Sequence, residues 1–124
     1  MLRIRVCLAL VVAAGLLVPA SALAHRAATS SERASILAAA VHQGEVSSTQ
    51  AACQAVTIST VNQSYAVMSW PARLSRACAA VAANGVIVEQ KKASSWLLVA
   101  AGSSLQCPVK TVPTNVARDL GVCR

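Results

Sequence analysis

Ala55-Val56-Thr57-Ile58-Ser59-Thr60-Val61, Asn62-Gln63-Ser64 and Tyr65-Ala66-Val67-Met68-Ser69-Trp70 form the stretch whose reading decides the fold. Residues 55–61 alternate and are rich in β-branched side chains, the period of two that sends successive side chains to opposite faces of a sheet. Residues 65–70 read as a second strand, and Pro71, which has no N–H to give to a ladder, ends it. The short polar segment between them is turn chemistry, so the two strands are expected to lie antiparallel.

Working toward the C-terminus, Pro71 to Asn84 reads as a longer connection with a helical turn through Leu74 to Val81. Residues 85–90 form a third predicted strand, Lys91 to Ser95 a turn, and residues 96–101 a fourth strand. Gly102 to Thr111 is a loop containing Cys107-Pro108. Pro113 suits the first turn of a short last helix, with Val116 and Leu120 four apart and Gly121 as its stop.

Toward the N-terminus, Thr29-Ser30-Ser31-Glu32 has the form of a capping box. Leu37, Ala40 and Val41 then share one helical face, with Ile36 beside them, and Gly44 is a natural stop. A helix is predicted over residues 30–43. His25 to Ala28 reads as a frayed terminus, and Glu45 to Ala52 as polar and irregular. The fold class is α+β: an N-terminal helix on a three- to four-stranded antiparallel meander, a short C-terminal helix and two disulfides.

The first residues have the three parts of a secretion signal. Arg3 and Arg5 give a basic start, and Val6 to Val18 is an apolar run of about 20 Å as a helix, short of the ~30 Å of a bilayer core. Pro19 breaks it, and Ala22-Leu23-Ala24 places small residues where a signal peptidase needs them. Cleavage is expected between Ala24 and His25, with a second site after Ala22. Residues 1–24 are thus the leader and residues 25–124 a single small domain, with no later segment long and apolar enough to span a membrane.

Losing Arg3 and Arg5 lowers the formal net charge from +7 to +5. Phenylalanine is absent, and Tyr65, Trp70 and Trp96 are the only aromatics, so the core is thin. Cys7 leaves with the leader, and Cys53, Cys78, Cys107 and Cys123 remain, an even number that reads as two disulfides in an exported chain. Four cysteines allow three pairings. In an up-and-down meander Cys53, Cys78 and Cys107 fall at one end of the sheet, which favours Cys53–Cys78 and Cys107–Cys123. There is no C-x-x-C pair of the kind a zinc ribbon or thioredoxin-like site uses.

Residues 53–124 resemble a group of small exported actinobacterial proteins of unassigned function. The likeness rests on Tyr65-Ala66, Trp96-Leu97-Leu98-Val99, Gly102-Ser103 before Cys107, and Val112-Pro113 leading to Asp119-Leu120-Gly121 and Cys123. It implies a tryptophan-bearing strand and a cysteine-bracketed last helix, and no activity.

Few residues carry chemistry. His42 lies at the end of the predicted first helix, where it reads as a structural residue. His25 beside a freed α-amino group has two nitrogens with which to hold a copper ion, although no cofactor is expected. Glu32, Glu45, Glu89 and Asp119 are scattered, with Glu32 reading as a cap. No nucleophile elbow, P-loop or metalloprotease helix occurs. Arg73 and Arg76 fall at the opposite end of the meander from Lys91 and Lys92, and with so few aromatics nucleic-acid binding is not expected.

The expected function is therefore a non-enzymatic exported binding domain whose partner is a protein or an envelope component. One alternative is an inhibitor of an extracellular hydrolase that presents residues 102–111, and another is a small hydrolase. N-terminal sequencing of the exported protein should begin at His25; a start at Leu23 would select the second site, and an intact Met1 would refute the leader.

Overall fold

The computed structural model describes residues 25–124. The predicted leader, Cys7 and Ala24 lie outside the described residues. In chain order the elements are β1 (His25–Ala27), α1 (Ser30–His42), α2 (Ser48–Cys53), β2 (Ala55–Ser59), β3 (Tyr65–Ser69), α3 (Arg76–Val81), β4 (Val86–Lys92), β5 (Ser95–Gly102) and α4 (Thr114–Asp119). The strands form one antiparallel sheet in sequence order, so the architecture is an α+β meander of five strands.

The additional strand is β1, formed by residues predicted to fray. β2 offers a row of backbone N–H and C=O groups on its outer side, and His25, Arg26 and Ala27 pair there with Ser59, Ile58 and Thr57. The second difference is α2, within the segment predicted to be irregular. Ser47 caps it: its side chain accepts from the Gln50 N–H, and the Gln50 side chain accepts from the Ser47 N–H. Glutamine can close a capping box as glutamate does, so Ser47 and Gln50 were the available signal.

The predicted cap of α1 forms as expected. Thr29 Oγ1 accepts from the Glu32 N–H at 3.2 Å, and Glu32 Oε2 accepts from the Thr29 N–H at 2.8 Å. Arg26 on β1 also donates to both Glu32 carboxylate oxygens at 2.8 Å, joining strand to helix. The arginine and the capping bonds hold the Glu32 carboxyl at about 2, below its ordinary 4.5.

Each central strand faces two hydrophobic layers. On one face Val56, Ile58, Ala66, Met68 and Trp96 pack against Ile36, Leu37 and Ala40 of α1 and Ala51 of α2. On the other face Tyr65, Val67 and Val88 pack against Val112, Val116, Ala117, Leu120 and Cys123. The sheet is thus sandwiched between α1–α2 and the C-terminal segment. On β5 the ladder slips where Val88 pairs with Ala100 and Glu89 with Leu98, so Val99 bulges and joins Ala100 on the second layer.

Gln43, just after α1, pairs its carboxamide with the outer edge of β5: Nε2 donates to the Trp96 carbonyl at 3.2 Å, and Oε1 accepts from the Leu98 N–H at 2.9 Å. Farther along that edge the Thr111 hydroxyl donates to the Val99 carbonyl at 2.6 Å.

The disulfides join Cys53 to Cys78 and Cys107 to Cys123, with Cα atoms 5.5 and 5.9 Å apart. This is the pairing favoured by the meander. The first ties α2 to α3, and the second ties the loop after β5 to the chain after α4. A chain-entropy estimate gives about 3 kcal/mol of stabilisation for each loop. Replacing Cys53 and Cys78 together by alanine should lower the unfolding free energy by about this amount in urea titration; an unchanged midpoint would show that this bridge does not constrain the unfolded chain.

Candidate functional site

The residues singled out from sequence do not converge. His42 is exposed at the last position of α1. The His25 ring Nδ1 lies 3.0 Å from the Asp119 carbonyl oxygen, which can only accept, so Nδ1 carries the proton in this contact. That contact occupies the ring nitrogen nearest the backbone. Among the described residues no three His, Cys, Asp or Glu side chains are grouped to hold a metal.

Asp119 is buried and fully engaged. Its Oδ2 accepts from the Ser59 hydroxyl at 2.5 Å and the Thr60 N–H at 2.8 Å, and Oδ1 accepts from the Thr60 hydroxyl at 3.2 Å. Burial raises its pKa, but the Ser59 hydroxyl, the Val61 and Thr60 N–H groups and the Thr60 hydroxyl outweigh that effect and leave it lowered. Ser59 Oγ in turn accepts from the Val61 and Asn62 N–H groups. The carboxylate thereby fixes α4 to the turn between β2 and β3. Sequence reading found no partner for Asp119 because its partners lie about 60 positions away.

Glu89 has the opposite environment. It is fully buried on the α1 side of the sheet, and neither carboxyl oxygen has a hydrogen-bond partner. Burial, with a smaller contribution from the charge of Glu45, raises its pKa from 4.5 to about 7. The signal in the sequence was its position two residues after Ile87, which puts it on a core-facing side of β4. A raised carboxyl beside a second carboxylate is a pattern of acid–base catalysis. Here, however, Glu89 is sealed from the surface, so no ligand reaches it.

Two surface features lie at the disulfide end of the sheet. The first is a cleft of about 210 Å³ between α2 and the ends of β4 and β5, bordered by Glu45, Gln54, Trp70, Asn84 and Ser103. It adjoins a shallower space of about 520 Å³ across the other side of Trp70. Gly85 at its floor has φ +138°, and a Cβ there would stand 2.9 Å from the Gly102 carbonyl oxygen, so the two backbones meet only because residue 85 is glycine.

The second feature is the predicted loop after β5. Ser103, Ser104, Gln106, Cys107, Pro108, Lys110 and Thr111 are exposed, while Leu105 and Val109 pack inward against the second hydrophobic layer. The Cys107–Cys123 bridge and the Thr111–Val99 hydrogen bond hold its two limbs. The Cys107–Pro108 peptide is cis.

The buried carboxyl has a defined effect on stability. The fold keeps Glu89 protonated up to about pH 7, whereas the unfolded chain releases that proton near pH 4.5. Its contribution is therefore complete below pH ~4.5 and is lost as pH rises through 7, a change of up to about 3 kcal/mol. Asp119 acts with the other sign, stabilising above the ordinary carboxylate range and losing that effect as pH falls through its lowered pKa. Denaturation of the wild type and Glu89→Gln at pH 4, 6 and 8 should show a decline for the wild type and a flatter profile for the variant; parallel profiles would refute the buried-acid assignment. Comparison with protein-family models, with curated proteins and with solved structures found no match to this chain.

Proposed function

We propose that this protein is an exported binding domain without catalytic activity, and that it engages a partner protein through the loop at residues 102–111. The observation that carries this reading is the loop itself: polar and proline-containing outside, packed inside through Leu105 and Val109, and clamped by Cys107–Cys123. A segment ordered before binding loses less conformational freedom on docking, which favours affinity.

Location supports the same reading. Two disulfides fit an oxidising, extracytoplasmic compartment, and among the described residues no helix is long and apolar enough to cross a membrane. The basic start, apolar run and small residues of positions 1–24 support export with cleavage before His25. An envelope polymer of negative charge would also attract the net positive domain, without needing a specific site.

A second reading has the loop inserted into the cleft of an extracellular hydrolase as an inhibitor. Its specific support is that the exposed side chains of Ser103, Gln106 and Lys110 stand on a loop closed at both ends by fixed attachments. The hydrolase reading for this chain itself has weaker support, because its one carboxyl with a strongly raised pKa is sealed inside the sheet.

Affinity capture from the medium of the producing cells should retain a partner on the wild type and lose it on a Gln106→Ala/Lys110→Ala variant with an unchanged melting temperature. Residual activity of the captured partner, assayed as a hydrolase, separates inhibitor from simple ligand. Equal capture by the variant would refute the loop as the contact surface.

A further inference from the structure

The cleft at the disulfide end has a composition that the loop does not explain. In the antiparallel register Ala55 pairs with Ser69, so Gln54 and Trp70 occupy the next position outward, side by side on the helix-covered face. Gln54 is 6% exposed and borders the cleft; its carboxamide makes no hydrogen bond to the described residues and, unlike the Glu89 carboxyl, is not sealed from the surface. A hydroxyl group of a ligand seated in the cleft supplies this amide with bonds in place of solvent.

The rest of the wall narrows the class of ligand. Trp70 is half-buried and borders both the cleft and the adjoining space, so its ring is a platform reachable from outside. Glu45 and Asn84 add a carboxylate and a second carboxamide, neither of them hydrogen-bonded through its side chain among the described residues. Gln50 also borders the cleft, but its side chain is committed to Ser47 and to the Val81 carbonyl. No lysine or arginine borders the cleft, which disfavours phosphate and carboxylate ligands.

Carboxamides both donate and accept, as hydroxyl groups do, and a carboxylate accepts from paired hydroxyls. An aromatic ring next to such groups matches a molecule with one apolar C–H face and a polar rim. A sugar ring has that form. We propose that the Trp70 cleft is a carbohydrate-binding site for a neutral pyranose unit of a glycan, with Trp70 as the stacking platform and Gln54, Asn84 and Glu45 bonding the hydroxyls. The 210 Å³ cleft takes one ring, and the 520 Å³ space beyond Trp70 leaves room for the chain to continue.

Ser103 borders the cleft, but Gln106 and Lys110 of the loop do not, so variants at those two residues and variants at Trp70 and Gln54 let the two readings fail independently. The test is titration of the exported protein with cellotetraose, chitotetraose and mannotetraose, followed by calorimetry and by backbone amide shifts. At least one of them should bind saturably, with shifts centred on Gln54, Trp70 and Asn84. Trp70→Ala and Gln54→Ala should each weaken binding about tenfold, equivalent to ~1.4 kcal/mol. Trp70→Phe, which keeps a ring, should restore most of it, and Gln106→Ala/Lys110→Ala should leave it unchanged.

Melting curves of Trp70→Ala and Gln54→Ala separate a folding defect from lost binding, and Gln54→Ala carries the test if the tryptophan variant does not fold. The proposal is overturned if none of the three sugars binds, if the shifts lie elsewhere, or if both cleft variants bind like the wild type. Capture of an anionic ligand such as inorganic phosphate at the same residues would also overturn it.

Discussion

The interior depends on the two-sided burial of β3. Ala66 and Met68 point toward α1 and α2, while Tyr65 and Val67 point toward the C-terminal segment. Four of the five residues of this strand are buried as a result. A chain without phenylalanine cannot fill one thick core, but it can fill two thin ones against a shared sheet. Alanine then becomes useful, since Ala40, Ala51, Ala66 and Ala117 let backbones approach closely where larger side chains would separate the layers.

Thin layers have little reserve, and this explains where covalent and polar fastening occurs. Cys53–Cys78 clamps α2 and α3, two six-residue helices that bury few side chains of their own. Cys107–Cys123 and the Asp119 network hold opposite ends of the C-terminal segment against the second layer. Glu89 goes the other way, placing an ionisable group without partners under α1. Asp119 and Glu89 thus bury the same chemical group at opposite energetic extremes, one with several donors and one with none.

Much of the fold was legible where a signal is local. The capping box at Thr29 and Glu32, the alternation through β2 and β3, and the breaks at Pro71 and Gly121 all act within a few residues of themselves. The disulfide pairing followed from strand order, a topological inference that needs only the meander. β1 escaped because three residues carry no periodicity, and its pairing is set by the free side of β2. The Trp70 cleft escaped for a related reason: Gln54, Trp70 and Asn84 come from three separate segments and meet only once the register is set. The loop at residues 102–111 was legible as exposed and bridged, whereas the inward packing of Leu105 and Val109 was not.

The Gln43 carboxamide has a consequence for how copies of this chain meet. A side-chain amide carries the same donor and acceptor as a peptide group, so on β5 it imitates one residue of a sixth strand. A neighbouring molecule seeking to extend the sheet there finds the Trp96 and Leu98 groups already taken, and the Val99 carbonyl taken by Thr111. The opposite border is only the three residues of β1, with a charged arginine in its middle. Among the described residues, both borders of the sheet thereby offer little purchase for strand-by-strand addition of a second copy.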